Sequence, residues 1–454
     1  MKQFQFAVKN ITEFKTELVK IRQWCRSRVV SDVLFQIYME TPDNTKVDSV
    51  CRLIDEKMPD ALYVGCTSNG NIVNGDFSGG TIAVSCYIFE YVSTKVEVLQ
   101  YKLTEDTQES VARDLKKYVE DRPEVKAIEM LLTIRGMSMT GLCDNLSKIR
   151  EDINIFGGGA FSFDINADRA CVFSKTGGYD EKGIVFVLLG GDEFHVETTY
   201  ITGWKPLGKK LEVTSSDGFI LKEINHKPAY ETYYRYLHIQ NDEHFFNNTL
   251  EFPFLYKHNG IDILRAPISS NPDGSLTMTA DVEENVAARI AYGDPWTILE
   301  SIHGKATELS QFAPDALIVF SCAARRTYWG NDEVGKETLM LQSVAPTAGF
   351  YTSGEFLRTG KYLNQHNVTL AIAALREGDI HEIGQQPEQA VSDYTGKVSM
   401  INRLATFISA TTEELIQANE RLELMAITDG LTGLYNRKEI QRRIIESVEN
   451  KEKT

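Results

Sequence analysis

The chain has 454 residues, enough for two or three domains at about 150 residues each, with 42% hydrophobic and 25% charged residues as in an ordinary globular protein. Its 48 Lys and Arg stand against 64 Asp and Glu, a formal charge of −16, which argues against a nucleic-acid partner because that binding needs a basic patch. The longest apolar run, Ile184–Leu189, has six residues where a membrane span needs about 20, and no signal-like apolar core opens the chain; a cytoplasmic protein without a membrane partner is expected.

In chain order, residues 12–28 read as an amphipathic helix and 33–38 as a strand, followed by a helix at 45–57 and a strand at 61–66. Strand, helix, strand in that span is a parallel crossover unit. An alternating β-branched stretch follows at 81–92, a helix at 107–121, a buried strand at 126–134 and a helix at 140–151 that ends before the Gly-rich run 155–164. Residues 184–189 and 194–201 read as strands joined by a tight Gly-Gly-Asp turn. Residues 202–236 read as a hinge whose second half forms a strand and then a helix opened by Pro228. Asn271-Pro272-Asp273-Gly274 predicts a hairpin, and Asp294 with Pro295 predicts the start of a helix running to 311. Strands at 316–322, 347–353 and 367–375 complete a mixed α/β pattern. An echo, PDALYVGC (59–66) against PDALIVFSC (314–322), hints at a duplication.

From residue 394 the strand signals stop. Ile401, Leu404, Ile408, Thr411, Leu415, Ala418, Leu422 and Met425 fall at alternating steps of three and four. A coiled-coil seam gives that pattern, and so does a single helix packed on its own domain. The expectation taken here is a parallel homodimer through residues 394–427.

No two of the seven cysteines are spaced CxxC, and the eight histidines are dispersed, so no zinc or thioredoxin-like site, metal or resident cofactor is expected.

The helix runs into LELMAITDGLTGLYNRKEIQRR (422–443), which resembles the opening of the GGDEF family of diguanylate cyclases through Asp429, Leu431, Thr432, Gly433, Leu434, Asn436 and Arg437. Asp429 and Thr432 suit a tight turn that Gly433 permits, with a new helix beyond. The resemblance covers the first part of such a domain. It implies Mg and GTP for a complete cyclase, whereas this chain alone is expected to be inactive. The letters GGDEF themselves occur at 190–194, before that opening rather than after it, and read as a turn between strands.

The first 390 residues resemble the FIST sensory family through ordered blocks: VGCTSNG (64–70), FGGGA (156–160), the stretch 203–233, FSCAARR (320–326), GFYTSGEF (349–356) and NQHNVTLAIAAL (364–375). The resemblance implies a two-lobed α/β input domain, lobes 1–220 and 221–390, for a small metabolite such as an amino acid. A signalling helix at 391–427 and a truncated cyclase start at 428–454 would follow. The candidate ligand residues are Cys66, Thr67 and Ser68 at a strand end, Gly158 in the paired-glycine block, Cys322, Arg325 and Arg326 after a buried strand, Gly354 with Glu355, and Asn367. An arginine at a strand's carboxyl end can clamp a carboxylate through paired hydrogen bonds, and Glu355 could hold an ammonium group. The rival readings are the N-terminal part of a full diguanylate cyclase and a hydrolase working through Cys66 or Cys322. For Cys66 no histidine base is identifiable.

Overall fold

The computed structural model describes residues 1–41, 44–134, 136–162, 169–380, 400–429 and 432–451. The first 380 residues are built from three units with one topology. Unit one runs β1 (Lys2–Val8), α1 (Ile11–Arg26), β2 (Asp32–Met39), α2 (Asn44–Lys57), β3 (Leu62–Thr67), the hairpin β4 (Asn71–Val73) and β5 (Asp76–Ser78), then β6 (Ile82–Phe89). Unit two repeats it with β7 (Lys95–Lys102), α3 (Gln108–Glu120), β8 (Val125–Leu132), α4 (Thr140–Leu146), β9 (Asn154–Gly159), the hairpin β10 (Val172–Ser174) and β11 (Gly178–Asp180), and β12 (Gly183–Gly190).

Unit three opens with β13 (Phe194–Ile201) and is interrupted by an insertion. That insertion comprises β14 (Trp204–Asp217), β15 (Ile220–Ile224), β16 (Lys227–Pro228), α5 (Ala229–Leu237), α6 (Phe245–Leu250), β17 (Phe254–His258), β18 (Ile261–Arg265), β19 (Pro267–Ser270), β20 (Leu276–Met278) and β21 (Ala287–Gly293). The unit resumes with α7 (Pro295–Phe312), β22 (Ala316–Cys322), α8 (Ala323–Trp329), α9 (Lys336–Gln342), β23 (Thr347–Thr352), the hairpin β24 (Glu355–Thr359) and β25 (Tyr362–His366), and β26 (Leu370–Glu377).

In each unit the first strand pairs antiparallel with the last, the last pairs antiparallel with the second, and the second pairs parallel with the third. Each unit also gives its hairpin away. The β10–β11 hairpin extends β3, β24–β25 extends β9, and β4–β5 extends β23, closing a cycle among the three sheets. The parallel pairs align Ile37 with Gly65, Met130 with Gly157 and Val319 with Gly349. A Cβ on those glycines would lie 2.2, 1.9 and 1.8 Å from the partner's carbonyl oxygen, so the same close approach recurs three times. The inner faces of all three sheets share one apolar core containing Tyr38, Val64, Leu131, Phe156, Phe320 and Phe350. The helices of each unit cover its outer face in clusters of their own.

This arrangement corrects three expectations. The internal repeat is threefold, and the PDAL echo aligns the third strand of unit one with the second strand of unit three, which are not equivalent positions. The Gly-Gly-Asp turn does not close a hairpin either: β12 and β13 lie in different sheets. Gly190 and Gly191 are needed because the chain crosses between sheets against the Glu124 and Ser93 carbonyls, 2.1 and 2.3 Å from where a Cβ would stand. The segment read as a hinge folds as β14, β15, β16 and α5 of the insertion, which has a core of its own around Tyr233, Phe254 and Leu276. The Asn271–Gly274 turn joins β19 to β20, and the Asp294 side chain accepts from the Thr297 amide at 3.1 Å to cap α7, both as the residues predict.

The C-terminal stretch forms α10 (Met400–Ile427) and α11 (Arg437–Lys451); residues 394–399 of the expected helix and the motif residue Leu431 lie outside the described residues. Along α10, Leu404, Ile408, Leu415, Leu422 and Met425 are exposed. The connecting turn is built by Asp429, Thr432, Gly433 and Asn436. Asp429 Oδ1 accepts from the Thr432 amide at 3.0 Å and its hydroxyl at 2.9 Å, and Gly433 takes a φ of +67°. The Asp429 amide donates to the Leu434 carbonyl at 2.7 Å. Asn436 caps α11 by accepting from the Glu439 amide at 3.0 Å, and its side-chain amide donates to the Ala426 carbonyl at 2.7 Å. Arg437 opens α11. No helix among the described residues is long and apolar enough to cross a membrane.

Candidate functional site

The sequence-predicted residues divide into three groups. Cys322, Gly158 and Glu355 meet at buried positions. Glu355 pairs across the ladder with Gly158, accepts from the Thr352 hydroxyl at 2.6 Å and the Thr369 amide at 3.3 Å, and takes a hydrogen bond from the Cys322 thiol. Burial raises both the carboxyl and the thiol, which favours the neutral form of each. Cys66 is also fully buried and its thiol is pushed well up by desolvation. Both environments favour the neutral thiol over the reactive thiolate.

The second group stitches the chain together. Thr67 accepts from the Cys171 amide at 3.0 Å, and Ser68 donates to Asn71 Oδ1 at 2.7 Å. Arg326 donates to the Asn69 carbonyl at 2.5 Å, which pins the loop after β3. Arg325 is fully buried and its guanidinium faces Glu337, at 3.0 Å from Nε and 2.6 Å from Nη2, with Nη1 donating to the Thr202 and Val368 carbonyls at 2.7 and 3.0 Å. Its fork already holds a carboxylate from the protein.

The third group, Gly354 and Asn367, lies behind a cavity of about 320 Å³, against its lining residues Gln365 and Arg265. Three parts of the chain line it: Thr140, Cys143 and Asp144 on α4; Tyr256, His258, Arg265, Asp281 and Glu283 from the insertion; and Leu363, Asn364 and Gln365 on β25. Arg265 is buried. It donates to the Asp281, Leu264 and Gln365 carbonyls at 2.8, 3.0 and 3.1 Å and to Asn367 Oδ1 at 3.2 Å. All four acceptors are neutral, and no carboxylate is in ion-pair contact with Arg265 among the described residues. Asp281 Oδ2 accepts from the Ser138 and Thr140 hydroxyls, tying the loop before α4 to the insertion. His258 Nδ1 is bonded to Glu283. Burial pushes the Cys143 thiol up to about 12, leaving it a neutral wall.

Several buried polar atoms here lack a hydrogen-bond partner among the described residues: Asp281 Oδ1, Gln365 Nε2 and Asn367 Nδ2. The two amide nitrogens flank one spot, 3.0 and 3.5 Å from where a Cβ on Gly354 would stand. An unpaired buried polar group is costly, and such groups are few in native proteins. In the lining, an unpaired acceptor, an unpaired donor and a guanidinium without a carboxylate together suit a ligand that carries both an ammonium and a carboxylate group. The residues missed from sequence are Arg265, Asp281 and Gln365. The run Asn364-Gln365-His366-Asn367, four polar residues ahead of an apolar strand, is the one signal that pointed this way.

A family model of the FIST N domain matches residues 33–227, and one of the FIST C domain matches residues 229–358. No curated protein matches the chain. Among solved structures, similarity extends to "T. maritima PurL complexed with ATP", at 9% identity over 82% of this chain and 71% of that one with a TM-score of 0.18. It extends also to "T. maritima PurL complexed with FGAR", at 9% identity over 84% and 74% with a TM-score of 0.19. Likeness at that level carries no argument about fold or function. The two family matches abut, and the cavity takes residues from both: by this evidence the chain belongs to the FIST family of sensory domains, a FIST N domain followed by a FIST C domain.

Proposed function

We propose that this chain is the sensory input of a signalling protein and that it binds a small zwitterionic metabolite of the amino acid type in the cavity between α4, the insertion and β25. The observation that carries this reading is the pair of unpaired groups in the lining, Asp281 Oδ1 for an ammonium and Gln365 Nε2 for a carboxylate, beside Arg265, which has no carboxylate partner among the described residues. The ligand needs differential affinity for two states of the protein to act as a signal. The contact from Asp281 to Ser138 and Thr140 supplies a part that can differ between them. The readout is α10, acting as a homodimer through its exposed apolar seam, and the output is a cytoplasmic diguanylate cyclase domain that begins at the Asp429–Arg437 turn. Mg and GTP would belong to that domain when complete.

The test is a thermal-shift and calorimetric screen of the full chain against the amino acids. A ligand at 100 times its Kd adds about 2.7 kcal/mol of stability. Binding abolished by Arg265→Met, with the unliganded variant still folded by circular dichroism, supports the reading. Absence of binding by any amino acid refutes it. Cyclase output is tested separately, by cyclic di-GMP levels in cells expressing the parent protein with and without the ligand.

A further inference from the structure

The ionisable groups around the cavity do not balance for a plain zwitterion. Asp144, Asp281 and Glu283 face one guanidinium, Arg265. Asp281 and Arg265 are the complements of an ammonium and a carboxylate, and Glu283 is occupied by His258. Asp144 is left over. It is exposed at the rim, on the same face of α4 as Thr140, one turn away, and beside the cavity-lining Cys143, with no ion-pair partner among the described residues. The lining also includes the neutral Cys143, Tyr256 and Leu363.

Resting on the amino acid reading above, we infer that the ligand carries a second cation, so that the site selects a diamino acid of the lysine type whose distal ammonium reaches Asp144. These neutral lining residues take the methylene chain, and the unpaired Gln365 Nε2, in a residue 8% exposed, fixes the carboxylate end. A charge at the rim is partly screened, so the gain over an uncharged side chain is modest, about five- to tenfold in Kd.

The experiment is calorimetric titration of the full chain with L-lysine and with L-norleucine, which keeps the chain length and loses the distal charge, on the wild type and on Asp144→Asn. Asp144 is exposed and makes no hydrogen bond to another side chain among the described residues, so the variant is expected to fold. Lysine binding about five- to tenfold tighter than norleucine, with that ratio lost in Asp144→Asn and the norleucine Kd unchanged, supports the inference. Norleucine binding as tightly as lysine overturns it while leaving the amino acid reading in place. A lysine preference that survives Asp144→Asn overturns the assignment to Asp144. Binding of neither compound overturns the inference directly, and the wider amino acid screen then decides whether the cavity reading falls too.

Discussion

Glu129 gives the sharpest test of the physical description of the core. It sits on β8 at a position that unit one fills with Gln36 and unit three with Ile318, facing the core shared by the three sheets. Its Oε2 accepts from Gln36 Nε2 at 2.5 Å, Gln36 in turn accepts from the Tyr38 hydroxyl at 2.9 Å, and Oε1 has no partner among the described residues. With no cation beside it, burial dominates and pushes the carboxyl from 4.5 up to about 8, against a smaller opposing pull from Gln36. The sign follows from proton counts. Below pH 4.5 both folded and unfolded states hold the proton. Between 4.5 and 8 only the folded state does, so stability falls as pH rises, by about 1.4 kcal/mol per unit. Above 8 the penalty is complete at about 5 kcal/mol. Glu129→Gln keeps the acceptor for Gln36 and removes the ionisation. Urea unfolding of both proteins at intervals from pH 4.5 to 9, followed by tryptophan fluorescence, isolates the difference. The variant should match the wild type at the acid end and gain steadily to about 5 kcal/mol at the alkaline end. A difference that does not change with pH would show that Glu129 is ionised in the fold and that the core is wetter or differently paired.

Gly349→Ala places a Cβ 1.8 Å from the Val319 carbonyl and should cost about 3 kcal/mol or more in a urea titration. Gly304→Ala, in α7 with nothing within 4 Å, should instead stabilise by about 1 kcal/mol. Glu337→Gln strips the fully buried Arg325 of its carboxylate and should cost about 3–5 kcal/mol, whereas Glu308→Gln, which breaks the exposed pair with Lys305, should cost under about 1 kcal/mol in the same assay. The full chain should sediment as a dimer at micromolar concentration and Leu415→Glu as a monomer; a monomeric wild type would remove the dimer from the proposal.

What the sequence made legible is what local chemistry determines. The α1, α2, α3 and α7 helices follow from apolar period and caps, and β2, β3, β8, β12 and β22 from buried β-branched runs. The turn at Asp429–Asn436 forms because its side chains bond to neighbours within ten residues. The three exchanged hairpins were not legible. Each strand in them is three to five residues long and is held by a sheet built from another part of the chain, so periodicity has too few positions to act on. The edge strands β1 and β7 also escaped, because half-buried strands with polar outward residues carry a weak signal. Among the candidate residues, a strand-end arginine looked like a ligand clamp, yet Arg325 is met by Glu337 twelve residues on. The residues with unpaired groups, Asp281 and Gln365, come together only through the threefold arrangement.

That arrangement also explains why the cavity lies where it does. Each exchanged hairpin packs beside the helix that precedes the third strand of the unit that receives it, so there are three comparable corners. Where β10–β11 joins β3, the 14-residue α2 fills the corner, and Asp55 meets both the Tyr63 hydroxyl at 3.2 Å and the Lys175 ammonium at 3.6 Å. Where β4–β5 joins β23, α9 closes down directly, its Thr338 hydroxyl donating to the Gly75 carbonyl at 2.6 Å. Where β24–β25 joins β9, α4 has seven residues, as α9 does. Arg358 props the chain beyond it by donating to the Leu146, Arg150 and Ile153 carbonyls at 2.9, 2.8 and 3.0 Å, and the insertion of unit three arches over the space left beside β25. The inserted sheet, which the other two units lack, spans this corner and roofs it with Arg265 and Asp281. Lengthening α4 to match α2 would therefore be expected to fill the cavity and abolish binding while leaving the sheets intact. Loss of ligand-induced thermal shift at unchanged unliganded stability would then measure how far sensing depends on this open corner.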